Sequence, residues 1–212
     1  MKKSEPARPR PKPPRTKPSE VRRTELMDAA ATLFVEKGLE ATTVDDIVAA
    51  AGVSKGTFYH YFVSKHEILA ALRNRYALRF NEEIAAAVAD CADDDWQGRI
   101  RKWVEAFFDG YSKTMALHDV VFHQHIPGNY RDERNGIVEQ LQGILDAGTE
   151  AGYWRLGNSR VAALVMFQGV HSVVDNITVA GKAQRREIVT ELTRLFLGML
   201  GSGGAAQSGR RA

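Results

Sequence analysis

Residues 41–69 read ATTVDDIVAAAGVSKGTFYHYFVSKHEIL, and this stretch decides the fold. Thr43 precedes a short apolar-spaced run and Asp46 follows three residues later. That is a capping-box variant, in which a hydroxyl and a carboxylate satisfy N–H groups of a first helical turn. A helix is expected over about Val44 to Ala51. Gly52-Val53-Ser54 then makes a tight turn. Ser54 caps a second short helix, about Lys55 to Phe62. Ser64-x-x-Glu67 is a second capping box and opens a long helix to about Ala89. A short helix, a three-residue turn with glycine and a second short helix form the helix-turn-helix pattern.

The faces of the second short helix follow from about 100° per residue. Phe58, Tyr61 and Phe62 point to one side, toward Ile47, Ala51 and Val53, and are expected in a core. Gly56 and His60 lie opposite, flanked by Thr57 and Tyr59. This outward set is small, polar and aromatic, with no acid in it. Gly56 removes a side chain where the helix would approach DNA most closely. Tyr59 can stack on sugar or a thymine methyl, or donate to phosphate. Thr57 and His60 can reach base edges or phosphates. Lys55 can take a phosphate, as can the helix N-termini at Thr43 and Ser54. Lys65, just after this helix, is also suited to a phosphate.

The same residues resemble the DNA-binding signature of TetR-family transcriptional regulators. The shared elements are Thr42-Thr43, Ile47, Ala51-Gly52-Val53-Ser54, Gly56-Thr57-Phe58-Tyr59, Tyr61-Phe62 and Ser64-Lys65. With the preceding helix the resemblance covers about residues 20–70. It implies an all-α homodimer with an N-terminal three-helix DNA-binding domain for a palindromic operator. A C-terminal helical domain would bind a small effector, usually releasing DNA, and would form the dimer. By position, the implied DNA contacts are Thr43, Lys55, Gly56, Thr57, Tyr59, His60 and Lys65.

Upstream, a helix is expected from about Glu20 to Lys37. Leu26, Ala30, Leu33 and Phe34 share one face, and Gly38 is a stop. Before it, residues 1–18 hold six of the seven prolines (6, 9, 11, 13, 14, 18) and almost no large apolar residue. Such a segment cannot offset its ordering entropy by burial and is expected to be disordered, with polyproline-II character. The charge is as uneven as the composition. The chain has 212 residues, 29 Lys+Arg and 26 Asp+Glu, a net charge of +3. Residues 1–23 contain nine of those bases and two acids, giving +7, so the remainder carries −4. A basic arm precedes a mildly acidic body. The arm can be a solvated leader, or it can track phosphates beside the helix-turn-helix.

Downstream, apolar spacing stays helical, with no period-2 strand. Further helices are expected at about Trp96–Leu117, 119–125, 132–151, 159–179 and 184–200, with a break at Pro127-Gly128-Asn129. The long helix that begins at Ser64 carries Ile68, Leu72, Tyr76 and Phe80 on one face. Trp103, Phe107, Tyr111 and Met115 recur every fourth residue, a stripe that reads as core or as the lining of an apolar pocket. Phe122 and His123 are candidates for the same pocket. Gln168, His171, Ser172 and Asp175 make a polar stripe on the penultimate helix. It is either a solvent or seam face, or it brings Gln168 and His171 to a ligand. His171 and Asp175 can also form a pH-sensitive pair. The last two helices are apolar over wide arcs, which suggests burial on two sides and supports a dimer seam. The domain reading is therefore a basic arm at 1–18, a DNA-binding domain at 19–66, a ligand-binding and dimerisation domain at 67–200, and a flexible tail at 201–212.

Other classes are weighed against this one. One cysteine, Cys91, cannot build a disulfide framework or a Cys-rich zinc site. No apolar run is long enough to span a membrane. The N-terminus lacks the apolar core of a secretory signal, so a cytoplasmic protein without membrane contact is expected. His123-x-His125 invites a metal reading. Helical ligands prefer i, i+4 spacing, however, and no carboxylate is well placed, so neither metal nor cofactor is expected. The alternative from another class is a helical-bundle enzyme or metal-binding protein using His123, His125 or His171. No HExxH, paired Glu-x-x-His or phosphate loop supports it, and no catalytic residue is assigned. The leading expectation is a repressor with three partners: double-stranded operator DNA, a small hydrophobic or aromatic effector, and a second copy of the chain. A regulator without an effector, or an activator, is the runner-up on the same scaffold.

Overall fold

The computed structural model describes residues 18–122, 130–177 and 181–201. Eight α-helices and no strand occur among them. They are α1 (Ser19–Ala41), α2 (Val44–Ala51), α3 (Lys55–Tyr61), α4 (Lys65–Ala89), α5 (Trp96–Phe122), α6 (Tyr130–Glu150), α7 (Ser159–Asn176) and α8 (Lys182–Leu200). The chain divides into two compact units between Ile68 and Leu69.

In the first unit, α1 buries Leu26, Met27, Ala30 and Phe34 along one face. Helical geometry stops at Gly38, where φ is 82° and ψ 162°. One further turn follows to Ala41, and Leu39 re-enters the core. Thr42 Oγ1 donates to the Gly38 carbonyl at 2.7 Å, filling an acceptor that the broken helix leaves open. Packing then runs from α1 to α2 and from α2 to α3. Ile47, Phe58 and Phe62 are fully buried at its centre. Burying a side chain of that size contributes roughly 1.5–3 kcal/mol each.

The second unit is a helical bundle. Its core draws on Phe80 and Ile84 of α4, Trp103, Val104, Phe107, Phe108 and Tyr111 of α5, and apolar faces of α6, α7 and α8. At Gly110 the Phe80 ring approaches so closely that a Cβ would lie 2.4 Å from it. Glycine there is what lets the ring lie on the α5 backbone. Trp154 is 2 % exposed and donates its indole N–H to the Leu145 carbonyl at 2.8 Å.

Two boundaries differ from the sequence expectation. The helices expected at 96–117 and 119–125 are one, α5, through Phe122. No glycine or proline lies between Leu117 and Phe122, so nothing ends the hydrogen-bond ladder there. The helix α7 closes at Asn176, and Ile177 is already extended (φ −115°, ψ 110°).

Candidate nucleic-acid interface and effector site

The helix-turn-helix is built from its caps. Thr43 Oγ1 accepts from the Asp46 N–H at 3.1 Å, and Asp46 Oδ2 accepts from the Thr43 N–H at 2.8 Å. The Lys37 ammonium, 2.8 Å from Asp46, and the Thr43 hydroxyl and N–H, which both donate to Asp46 Oδ2, hold the Asp46 carboxyl far below the usual carboxylate range. Gly52 ends α2 in the left-handed region, φ 64° and ψ 36°, where a side chain would be strained. Ser54 Oγ accepts from the Thr57 N–H at 3.2 Å and opens α3.

On α3, Phe58 and Phe62 are buried anchors. Tyr61, expected in the core with them, is only half-buried and lies edge-on to His60 at 4.8 Å. Its angular position is at the border of the apolar face, so a seven-residue helix leaves it partly in solvent. Lys55, Gly56, Tyr59 and His60 are exposed, and Thr57 is half-buried beside them. The structure thus brings five of the seven predicted DNA contacts onto one face. The Tyr59 ring, 52 % exposed, is braced edge-on by Phe58 at 5.4 Å. A Cβ on Gly56 would meet only Ser54 Oγ, at 3.8 Å. Packing within the chain therefore does not require glycine there.

The remaining two predicted contacts have work inside the protein. Thr43 is committed to the capping box, and Asp45 and Asp46 occupy the first turn of α2. That helix end offers an anion less than the sequence suggested. Lys65 Nζ donates to the carbonyls of Leu39, Glu40 and Thr42 at 2.8, 3.2 and 3.4 Å. An ammonium has three protons, and three acceptors use them. Lys65 thereby fastens the end of α1 to the start of α4, a role the phosphate expectation did not include. Lys55 is paired with Asp45 at 2.9 Å, and that carboxylate pushes its ammonium pKa up.

In the second unit the predicted stripe changes character along its length. Trp103, Phe107 and Tyr111 are buried and their rings follow one another at 5.4 and 6.2 Å. Met115, one turn further, is 48 % exposed and leaves the cluster. The Phe167 ring meets Phe107 edge-on at 5.7 Å. Trp103 Nε1 is buried in this cluster with no hydrogen-bond partner among the described residues. Phe122 is the last residue of α5; its side chain and His123 lie outside the described residues, as does His125.

The polar stripe of α7 splits lengthwise. Gln168 and Ser172 are exposed, so Gln168 is not brought to the aromatic cluster. His171 turns inward and lies 5.1 Å from the Tyr111 ring and 5.9 Å from Phe167. Its Nδ1 is 3.0 Å from Asp175 Oδ2, while Tyr111 Oη donates to Asp175 Oδ1. Burial, and then the Asp175 carboxylate, push the Tyr111 phenol well above its usual range. Asp175 was absent from the expected contacts. Its i+4 spacing from His171 was visible, but its bond to Tyr111, 64 residues away, was not. A shallow hollow of about 250 Å³ opens beside Tyr153, Trp154 and Leu197, none of them a predicted ligand contact.

Comparison with known proteins bears directly on the first unit. The family model for bacterial regulatory proteins of the tetR family matches residues 26–72. The HTH-type transcriptional repressor KstR2 of Rhodococcus jostii (strain RHA1) is 36% identical over 143 residues, covering 63% of this chain and 68% of that one. The chain belongs to the tetR family. A solved tetR-family regulator from Rhodococcus RHA1 superposes with a TM-score of 0.69 at 24% identity, over 85% of this chain and 97% of that one. The ketosteroid transcriptional regulator KstR2 of Mycobacterium tuberculosis does so with a TM-score of 0.61, also at 24% identity, over 85% and 95%. These two likenesses establish the shared all-α fold. As a tetR-family member the chain is a DNA-binding transcriptional regulator, not an enzyme, which sets aside the helical-enzyme alternative. Among the described residues no helix of this regulator is long and apolar enough to cross a membrane.

Proposed function

We propose that the chain is an effector-responsive repressor acting as a homodimer on a palindromic operator. Residues 19–66 read the operator and residues 67–200 bind the effector and the partner subunit. The observation that carries the reading is the exposed face of α3. Gly56, Thr57, Tyr59 and His60 project from a helix whose opposite side is locked by fully buried Phe58 and Phe62. A rigid helix with a small polar face and no acid on it suits a major groove.

Dimer formation is supported by apolar side chains left exposed on two helices. Val161, Leu164 and Val165 on α7 and Leu195 and Met199 on α8 are each more than 40 % exposed. Clusters of this kind mark protein–protein contacts. Support for an apolar effector comes from the aromatic row of α5 and from the Trp103 N–H. An orphaned buried donor costs about 1–3 kcal/mol, a cost that an acceptor on a bound molecule removes. The name of the tuberculosis relative, a ketosteroid regulator, fits the same chemistry, an apolar body with an oxygen acceptor. The effector releases DNA by binding the non-reading state more tightly, since it shifts the equilibrium only by that difference. A protein acting on chromosomal operators works in the cytoplasm.

The test is anisotropy with DNA from upstream of the chain's own coding sequence. The full chain should prefer it over an unrelated duplex of the same length. His60→Ala should cut that preference about five- to a hundredfold, the range of a lost base contact worth ~1–3 kcal/mol. Equal affinity of the full chain for both duplexes would overturn the reading.

A further inference from the structure

The exposed face of α3 has an acid beside it that α3 itself does not supply. Asp45, in the first turn of α2, meets Lys55 Nζ at 2.9 Å through Oδ1 and at 3.1 Å through Oδ2. Both carboxylate oxygens thus face one ammonium. The two side chains stay open to solvent, 71 % exposed for Asp45 and 54 % for Lys55. The start of α2 does not need Asp45, because Thr43 and Asp46 make the cap. Lys55 is the first residue of α3, and a recognition helix contacts base edges from that end. The other four cations of residues 18–68 are engaged elsewhere. Arg22 pairs with Glu25 at 3.4 Å and Lys37 with Asp46 at 2.8 Å. The Arg23 guanidinium lies over the Phe62 ring at 5.3 Å, and Lys65 is spent on three carbonyls.

A carboxylate turned toward a duplex meets a phosphate charge for about every 1.7 Å of axis. It is tolerated there where it finds a donor, and the major-groove donors are the amino groups of cytosine and adenine. Asp45 and Lys55 present an acceptor and a cationic donor side by side. A G·C pair presents the complement, the cytosine N4 amino group beside guanine O6, with N7 as a second acceptor. In an A·T pair the adenine amino group adjoins thymine O4, but that edge carries a methyl group and one acceptor fewer for the ammonium on the partner base. We propose that Asp45 and Lys55 read one G·C pair in each half-site as a unit, Asp45 accepting from cytosine N4 and Lys55 donating to guanine O6 or N7. This rests on the operator-binding reading above, and it adds a residue of α2 to a face otherwise drawn from α3. The ion pair of the free protein holds Lys55 toward the bases and away from phosphates, so the pair supplies selectivity more than sequence-independent affinity.

The test is selection from a pool of random-sequence duplexes by the full chain and by Asp45→Ala, Asp45→Asn and Lys55→Met variants. The full chain should enrich a palindrome with a fixed G·C pair in each half. Asp45→Ala and Lys55→Met should enrich the same palindrome with that pair no longer fixed. Asp45→Asn should move the preference there toward A·T, because a side-chain amide suits adenine N6 and N7. On the selected duplex, exchanging that G·C pair for A·T should weaken the full chain about five- to a hundredfold and leave Asp45→Ala nearly indifferent. Retention of every fixed G·C pair by both Asp45 variants overturns the inference alone, as does a palindrome without a fixed G·C pair or the failure of both Asp45 variants to select any duplex. A full chain that enriches no palindrome overturns the operator-binding reading, and the inference with it.

Discussion

At the scale of single residues, the structure separates side chains that face outward from those that hold the reading head together. Gly56, Tyr59 and His60 have open surroundings, whereas Lys65 has every ammonium proton committed to a carbonyl. A residue with a structural role and one with a phosphate role answer differently to replacement. Lys65→Met removes a charged donor from three partly buried acceptors. It should lower stability by about 1–2 kcal/mol, in the range for hydrogen bonds to charged groups discounted for its partial exposure. Chemical denaturation would show this. The salt slope of DNA binding by the folded variant should stay the same, and a slope reduced by about 0.9 would return Lys65 to a phosphate.

At the scale of elements, α2 and α3 are too short to be stable alone, and caps with a few buried rings hold them. The Thr43–Asp46 box fixes where α2 starts, and with it the direction in which α3 leaves the turn. Thr43→Ala should cost about 1 kcal/mol in stability, read from a denaturant midpoint. The same box has a pH signature. The folded-state pKa of Asp46 lies below its ordinary 3.8, so its contribution is complete above that value. It is lost as pH falls through the depressed folded value, and is absent below it. Acid unfolding of an Asp46→Asn variant should therefore start from a lower plateau and be less steep below pH 4. These caps were legible in the sequence, because a capping box is a local pattern. The continuity of α5 through Phe122 also follows a local rule, the absence of a breaker, that the expected division at residue 118 did not respect.

At the scale of the whole molecule, the proposed dimer seam lies on the second unit. Its aromatic core is closed, yet Val161, Leu164 and Leu195 remain exposed on α7 and α8. Single scattered apolar residues need no explanation, but exposed ones spaced i, i+3 and i+4 on α7 and i, i+4 on α8 do. Leu164→Glu combined with Leu195→Glu places like charges in the proposed seam. Sedimentation should then show a monomer at concentrations where the unaltered chain is a dimer, and operator binding should weaken because two half-sites must be held together. A dimer unchanged by both substitutions would locate the seam elsewhere.

The sequence by itself determined the helix-turn-helix, its caps, the outward set of α3 and the uneven charge of the chain. Each of these is carried by residues within a few positions of one another, and helical periodicity converts such spacing into a face. Only the tertiary structure decided which expected contacts had internal partners. Lys65 meets carbonyls 23 to 26 residues away, and Tyr111 meets Asp175 across 64 residues. It also split the polar stripe of α7, turning half-buried His171 toward the aromatic rings and leaving Gln168 in solvent. Periodicity gives the angle of a side chain about its own helix axis. Packing of other helices decides whether that angle points at water, a ring or a carboxylate.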